Sequence, residues 1–389
     1  MRFGARLKLK KIIFCRDCKS LVDLLGFCNF EPVKILFLTR QKSVAGSAYS
    51  INYLANGLAE KGHETWVGGR PGAFVLRLAE RFPAVRKMTF DFKGYTDWKT
   101  ARSIAVFVKK NSIDLVNAQS GQDRVMVILA SMLFGMKARV VFTRRQRPRD
   151  EPWLKRWLHL QVASKIVVIS HGLKQLFRNK GYREQDLHVI YNGLPDDLPS
   201  RVDPQKVKTL RSHYEIPAHH KVVGCVSRLK EQHQLIRAAS FLPEHTTLLF
   251  VGIQRSDLQE VIDQEKPRQH LVFTASKDHD EVLNHYKLMD VNVLASKMDG
   301  FGLTLVEAMA LGVPVIGSNF GGIPDVIGED ENGLLFDNGD IAAFGDKINR
   351  ILTDEQLRSR LVANGKKAYL EKFALKQTVA AYEQFFSQL

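Results

Sequence analysis

From residue 33 onward the chain alternates short apolar runs with longer amphipathic ones. "VKILFL" (33–38) is almost uninterrupted in apolar character, as a strand covered on both faces should be. In the following "SAYSINYLANGLAEKGH", Ile51, Leu54, Leu58 and Ala59 recur at helical spacing, and Gly62 marks the end. Further strands are predicted at "ETWVGG" (64–69), "DLVNAQ" (114–119), "ARVVFT" (138–143), "KIVVIS" (165–170) and "LHVIYNG" (187–193), with helices around "TARSIAVFVKKNS" and "VMVILASMLFG". Repeated β–α units imply a parallel sheet with helices on both faces.

The segment "GLPDDLPSRVDP" (193–204), with three prolines, breaks this rhythm and reads as a linker. Strands resume at "KVVGCVS" (221–227), "TTLLFVG" (246–252), "HLVFTA" (270–275), "DVNVLAS" (290–296) and "VPVIGS" (313–318). The pattern predicts an α/β chain of two Rossmann-like, doubly wound domains, at 31–197 and 205–373. An extension, 1–30, precedes them, and a last helix, 374–389, is expected to return to the first domain. In open parallel sheets ligands collect beyond the carboxyl ends of the strands, so the cleft between two such domains is the expected site.

Charge sharpens this picture. The 389 residues carry a formal +16, unevenly: residues 1–200 hold 35 Lys/Arg against 16 Asp/Glu, residues 201–389 hold 22 against 25. The basic first half suits phosphates, an anionic membrane surface or an acidic acceptor. No run reaches the ~18–20 apolar residues of a membrane span. Arg2, Arg6, Lys8, Lys10 and Lys11 followed by Ile12, Ile13 and Phe14 fit a segment on an anionic bilayer, or equally a solvated extension. Cys15 and Cys18 form a CxxC with only Cys28 nearby, which favours free thiols over a metal site.

The densest chemistry lies in "DGFGLTLVEAMALGVPVIGS" (299–318). Gly300 and Gly302 let a ligand approach the backbone where a helix begins, and the unpaired N–H groups there attract an anion. Asp299 stands outside the helix and Glu307 one turn inside, so the two acids can address hydroxyls on either side of a diphosphate. Alternatively, Asp299 is a helix cap and Glu307 lies on a solvent face.

The wider stretch "DGFGLTLVEAMALGVPVIGSNFGGIPDVIGEDENGLLF" resembles the E-x7-E region of the retaining family 4 glycosyltransferases. "LANGLAEKGHE", "IDLVNAQS", "HVIYNGLP" and "VVGCVSRL…LIRAA" extend the likeness over residues 33–389. The resemblance implies the GT-B fold, a nucleotide-diphosphate sugar bound mainly by the second domain, and transfer with retention. It implies that Glu307 holds the ribose and Asp299 the donor sugar. Gly300, Phe301, Gly302, Leu303 and Thr304 would supply the backbone around the diphosphate, and Gly46 and Ser47 room opposite it. Arg228 and a cation from "SRLKEQHQ", Lys230 rather than His233, would stabilise the leaving group. No cofactor and no metal is implied; "DHD" (278–280) reads as a helix cap, from Ser276 or Asp278, rather than an ion site. Where the family commonly has H-A-H, this chain has Asn117-Ala118-Gln119, and Asp299 is one methylene shorter than the usual Glu.

"FTRRQRPRDEPWLKRWLHL" (142–160) adds six basic residues and two tryptophans at a strand end of the first domain. With "SGQD" it resembles bacterial transferases of lipopolysaccharide core and other envelope glycans. That likeness implies a glycan or lipid-linked acceptor, anionic ones suiting the arginines, beside Ser120, Asp123, Arg144 and Arg145. It also implies a peripheral location on the cytoplasmic face of the inner membrane, with nucleic acid not expected. The alternatives are a nucleotide-sugar epimerase, a non-catalytic binding protein, or a nucleic-acid binder resting on the basic half.

Overall fold

The computed structural model describes residues 31–43, 45–148, 153–275, 277–297 and 299–389. Cys15, Cys18, Cys28 and the basic cluster near the N-terminus lie outside them. Seven parallel strands form the first sheet: β1 (Lys34–Leu38), β2 (Glu64–Gly69), β3 (Val85–Thr89), β4 (Leu115–Ala118), β5 (Arg139–Arg144), β6 (Lys165–Val168) and β7 (Leu187–Val189), in the order β3-β2-β1-β4-β5-β6-β7. Six more form the second: β8 (Lys221–Val226), β9 (Thr246–Val251), β10 (His270–Thr274), β11 (Val291–Leu294), β12 (Val315–Ser318) and β13 (Leu334–Phe336), in the order β10-β9-β8-β11-β12-β13. In each sheet the order reverses beside the first strand, between β1 and β4 and between β8 and β11. Such a switch point opens a crevice at the strand ends.

Both sheets exceed the sequence expectation by one strand, and each extra strand is an edge. β3 reads VRKMT with only Val85 buried, and β13 is three residues long. An edge strand covered on one side, or too short to show a period, carries little apolar signal. The central strands are nearly wholly buried, Ile35 to Leu38 and Leu248 to Val251 among them.

The proline-containing segment is not a loose tether. Leu198 is fully buried, the Leu194 amide donates to the Phe373 carbonyl at 3.0 Å, and Leu375 N donates back to Leu194 O at 2.7 Å. This anchors the helix Leu375–Phe386 against the first domain. The Thr378 hydroxyl donates to Tyr191 O at 3.0 Å. A Cβ at Gly57 would stand 2.6 Å from Val379, so the small residue permits the close approach of the two helices. The chain thus crosses between the domains twice, at 194–204 and again at 373–375.

Candidate functional site

The helix Leu303–Ala310 opens at Gly302, whose φ of +89° places it in the left-handed region. Glycine adopts that conformation without the steric penalty of a side chain. The Gly302 amide donates to Asp299 Oδ1 at 3.2 Å, so Asp299 does act locally as a cap. Its other oxygen, Oδ2, pairs with Lys230 Nζ. Lys230 belongs to the loop after β8. Gln232 fixes that loop: its Nε2 donates to Ser227 Oγ at 2.7 Å and Arg228 O at 2.8 Å, while its Oε1 accepts from Lys230 N at 2.6 Å. Arg228 is exposed beside them, without an ion-pair partner among the described residues. His233 instead begins the next helix, Gln234 to Ala238 following it. Of the two candidate cations, only Lys230 reaches the acid at 299.

Glu307 is not on a solvent face; it is 6% exposed. His279 Nε2–H donates to its Oε1 at 2.9 Å and Tyr286 O–H to its Oε2 at 2.7 Å. Burial alone would lower the His279 pKa, but the carboxylate of Glu307 outweighs it, and the net shift is upward. Burial, then the same carboxylate, pushes the Tyr286 phenol well above its usual range. A carboxylate fixed by two donors keeps spare lone pairs for ligand hydroxyls.

The DHD stretch contributes both a cap and a cross-domain pair. Asp278 accepts from His279 N at 2.9 Å, and Arg81 of the first domain reaches Asp278 at 3.0 Å and Asp280 at 3.2 Å. Ser276 lies outside the described residues. The Tyr49 ring, also from the first domain, stands 4.6 Å from the His279 ring. Gly46, at the start of Tyr49's helix, faces Leu303, since a Cβ there would lie 3.4 Å from Leu303 Cδ1. Phe301 is buried, its ring turned inward onto Tyr191 and Phe373. Thr304 is half-buried three residues further on.

Across the cleft, the ends of β1, β2, β4 and β5 surround a cavity of about 560 Å³. Ser47, Ser120 and Arg145 line it. Asp123 does not reach it: its carboxylate accepts from Gln119 N at 2.7 Å, Ser120 N at 2.8 Å and the Ser120 hydroxyl, capping the helix Gly121–Phe134. Burial nonetheless raises its pKa. Arg144 is 4% exposed and stacks on Phe177 at 4.5 Å, so only part of it borders the cavity. Thus Asp123 and Arg144, expected on the acceptor side, serve mainly to build the cavity wall. Sequence reading missed Gln119 as its support: Gln119 Nε2 donates to Asn117 Oδ1 at 2.9 Å and its Oε1 accepts from Arg145 Nε at 3.0 Å. The amides standing in place of H-A-H therefore orient an arginine.

Comparison with known proteins follows the same division. Residues 44–198 match the Glycosyltransferase Family 4 model, and residues 206–368 match the Glycosyl transferases group 1 model. The chain is 24% identical over 373 residues to the N-acetyl-alpha-D-glucosaminyl L-malate synthase of Bacillus anthracis, covering 90% of this chain and 95% of that one. It is 27% identical to the lipopolysaccharide core biosynthesis glycosyltransferase LpsE of Rhizobium meliloti, covering 86% and 94%. In fold it matches the crystal structure of Anabaena HepE in complex with UDP and glucose, at a TM-score of 0.80 and 22% identity, over 92% of this chain and 100% of that one. With both halves matched in order and both sheets facing the cleft of a GT-B fold, this chain belongs to the family 4 glycosyltransferases.

Proposed function

We propose that the protein transfers a sugar, with retention of configuration, from a nucleoside-diphosphate sugar to a glycan or lipid-linked acceptor of the cell envelope. The observation that carries this reading is the arrangement at the helix Leu303–Ala310. Buried Glu307, held by two donors, lies inside it, and the Lys230–Asp299 pair lies at its mouth. In this reading Glu307 takes the ribose hydroxyls and the helix start faces the diphosphate. Arg228 and Lys230 offset the charge that develops as the bond from the anomeric carbon to the diphosphate oxygen breaks. The acceptor hydroxyl attacks from the same face and gives its proton to a diphosphate oxygen. Asp299 holds a sugar hydroxyl and keeps Lys230 in place.

The relatives support the donor class: the HepE structures contain UDP, or UDP-glucose, and LpsE is a lipopolysaccharide core enzyme. The basic first domain supports an acceptor presented at an anionic inner-membrane surface, with neither metal nor cofactor needed. Incubating the full chain with a panel of nucleotide sugars and a cell-envelope glycolipid extract, with and without EDTA, tests this. The expected result is a glycosylated lipid of unchanged anomeric configuration, in equal yield in both. Sugar-nucleotide isomerisation in the absence of acceptor would instead identify an epimerase.

A further inference from the structure

The cavity at the strand ends of the first domain has an unusual wall. Arg40, Lys42, Arg70, Arg124, Arg144, Arg145 and Arg147 line it, and no Asp or Glu does among the described residues. Its other lining groups, such as Thr39, Gln41, Ser47, Gln119 and Ser120, are neutral and polar. Five of the cations have no carboxylate within ion-pair distance among the described residues: Arg40, Lys42, Arg70, Arg145 and Arg147. Arg145 is held by the amide oxygens of Gln119 and Asn192. Arg147 contacts Lys297 O and the Phe320 ring. So many unneutralised cations around one concave space repel one another, a cost that a bound anion relieves.

The partners of Arg145 are informative. Neutral amides fix the guanidinium's orientation without spending its charge, and two of its five N–H donors are used there. Burial disfavours its charged form, as expected of an arginine lacking its counterion. A side chain built in this way is prepared for a bidentate oxyanion. Arg145 also joins the two halves of the site. A Cβ at Gly300 would stand 2.4 Å from the Arg145 carbonyl, so the cavity adjoins the loop that carries Asp299. Every lining residue among the described ones comes from the first domain, across the cleft from the Arg228–Lys230 cluster.

We propose that this cavity is an anion subsite that takes the acceptor by a phosphate or carboxylate group, gripped by Arg145, Arg70 and Arg40. The inference rests on the reading of the protein as a transferase whose acceptor lies in the first domain. A volume of about 560 Å³ fits one or two sugar units carrying such a group.

The test is isothermal titration of the full chain with glucose 6-phosphate, glucuronate and glucose, with a panel of nucleoside diphosphates titrated separately. The two acidic sugars distinguish a phosphate from a carboxylate ligand. Saturable binding of at least one of them, with none of glucose, is expected. Arg70→Gln, whose side chain has no partner to lose among the described residues, and Arg145→Gln should each weaken it roughly tenfold, the scale of one charge-assisted hydrogen bond. Nucleoside-diphosphate affinity should stay unchanged in the Arg70→Gln protein. The proposal is overturned if glucose binds as well as its phosphate, if both variants bind like wild type, if no acidic sugar binds, or if nucleoside diphosphate competes for the cavity. Acidic-sugar binding without any nucleoside-diphosphate binding would instead sink the donor reading and leave the anion subsite standing.

Discussion

Asp325 of the second domain accepts the His171 amide at 2.7 Å and the Gly172 amide at 3.0 Å, so one domain caps a helix of the other. Tyr191 O–H donates to the same carboxylate at 3.1 Å. The negative group meets the positive end of the helix His171–Asn179, which favours the closed arrangement of the cleft. At the far end of the cleft the Arg81 pairs with Asp278 and Asp280 are half-exposed and contribute little. Replacing Asp325 with Ala should lower the free energy of unfolding by about 2 kcal/mol, as expected for charge-assisted hydrogen bonds partly shielded from water. Urea titration of Asp325→Ala and Arg81→Ala measures the contrast; equal losses would refute it.

The same seam depends on a residue without a side chain. A Cβ at Gly172 would stand 1.8 Å from the Gly321 carbonyl, so Ala cannot be accommodated while the domains are closed. Gly172→Ala should therefore open the cleft: nucleotide binding by the second domain persists, while turnover falls by at least about tenfold because acceptor and donor no longer meet. Comparison of Kd for the nucleotide with kcat, alongside small-angle scattering, checks this. A drop in both to the same degree would point to unfolding instead.

Much of this architecture was legible in the chain itself, because nine of the central strands are short apolar blocks separated by amphipathic helices. The edge strands β3 and β13 were not, having too little buried length to leave a period. At the site, Asp299 and Glu307 stood out because glycines and a helix start surround them, whereas Lys230 entered only through the family resemblance. His279 and Tyr286, which hold Glu307, were not, since they lie 28 and 21 residues away and meet it only through the fold. Asp325 likewise carried no local signal, its partners being over 130 residues distant.

Lys230 and Asp299 should separate kinetically from Glu307. Under the proposed function Lys230 meets charge that appears only as the diphosphate leaves, so Lys230→Ala should cost about 10²–10³ in kcat with a modest change in nucleotide affinity. Asp299→Ala frees Lys230 and should also act mainly on kcat. Glu307→Ala removes a ground-state contact and leaves His279 and Tyr286 without their acceptor, so nucleotide Kd should rise about tenfold or more. Steady-state kinetics together with nucleotide titration decide it: a Lys230 variant altered only in KM would refute the leaving-group role.

The His279–Glu307 pair also predicts how stability depends on pH. In the folded protein the imidazolium is favoured, because Glu307 overcomes the penalty of burial and raises the pKa above its unfolded value. A raised pKa means the folded state binds the proton more tightly than the unfolded chain does. The pair's contribution is therefore complete below the ordinary histidine value of about 6.5 and is lost as pH rises through the higher folded value. His279→Asn removes the titrating group while leaving an N–H able to approach Glu307. Wild type should exceed this variant in Tm most clearly in mildly acidic buffer, with the gap narrowing as the solution becomes alkaline. Thermal melts of both proteins across pH measure that gap directly. A gap that widens with rising pH would mean that His279 is held neutral in the fold and that Glu307 does not carry the charge assigned to it.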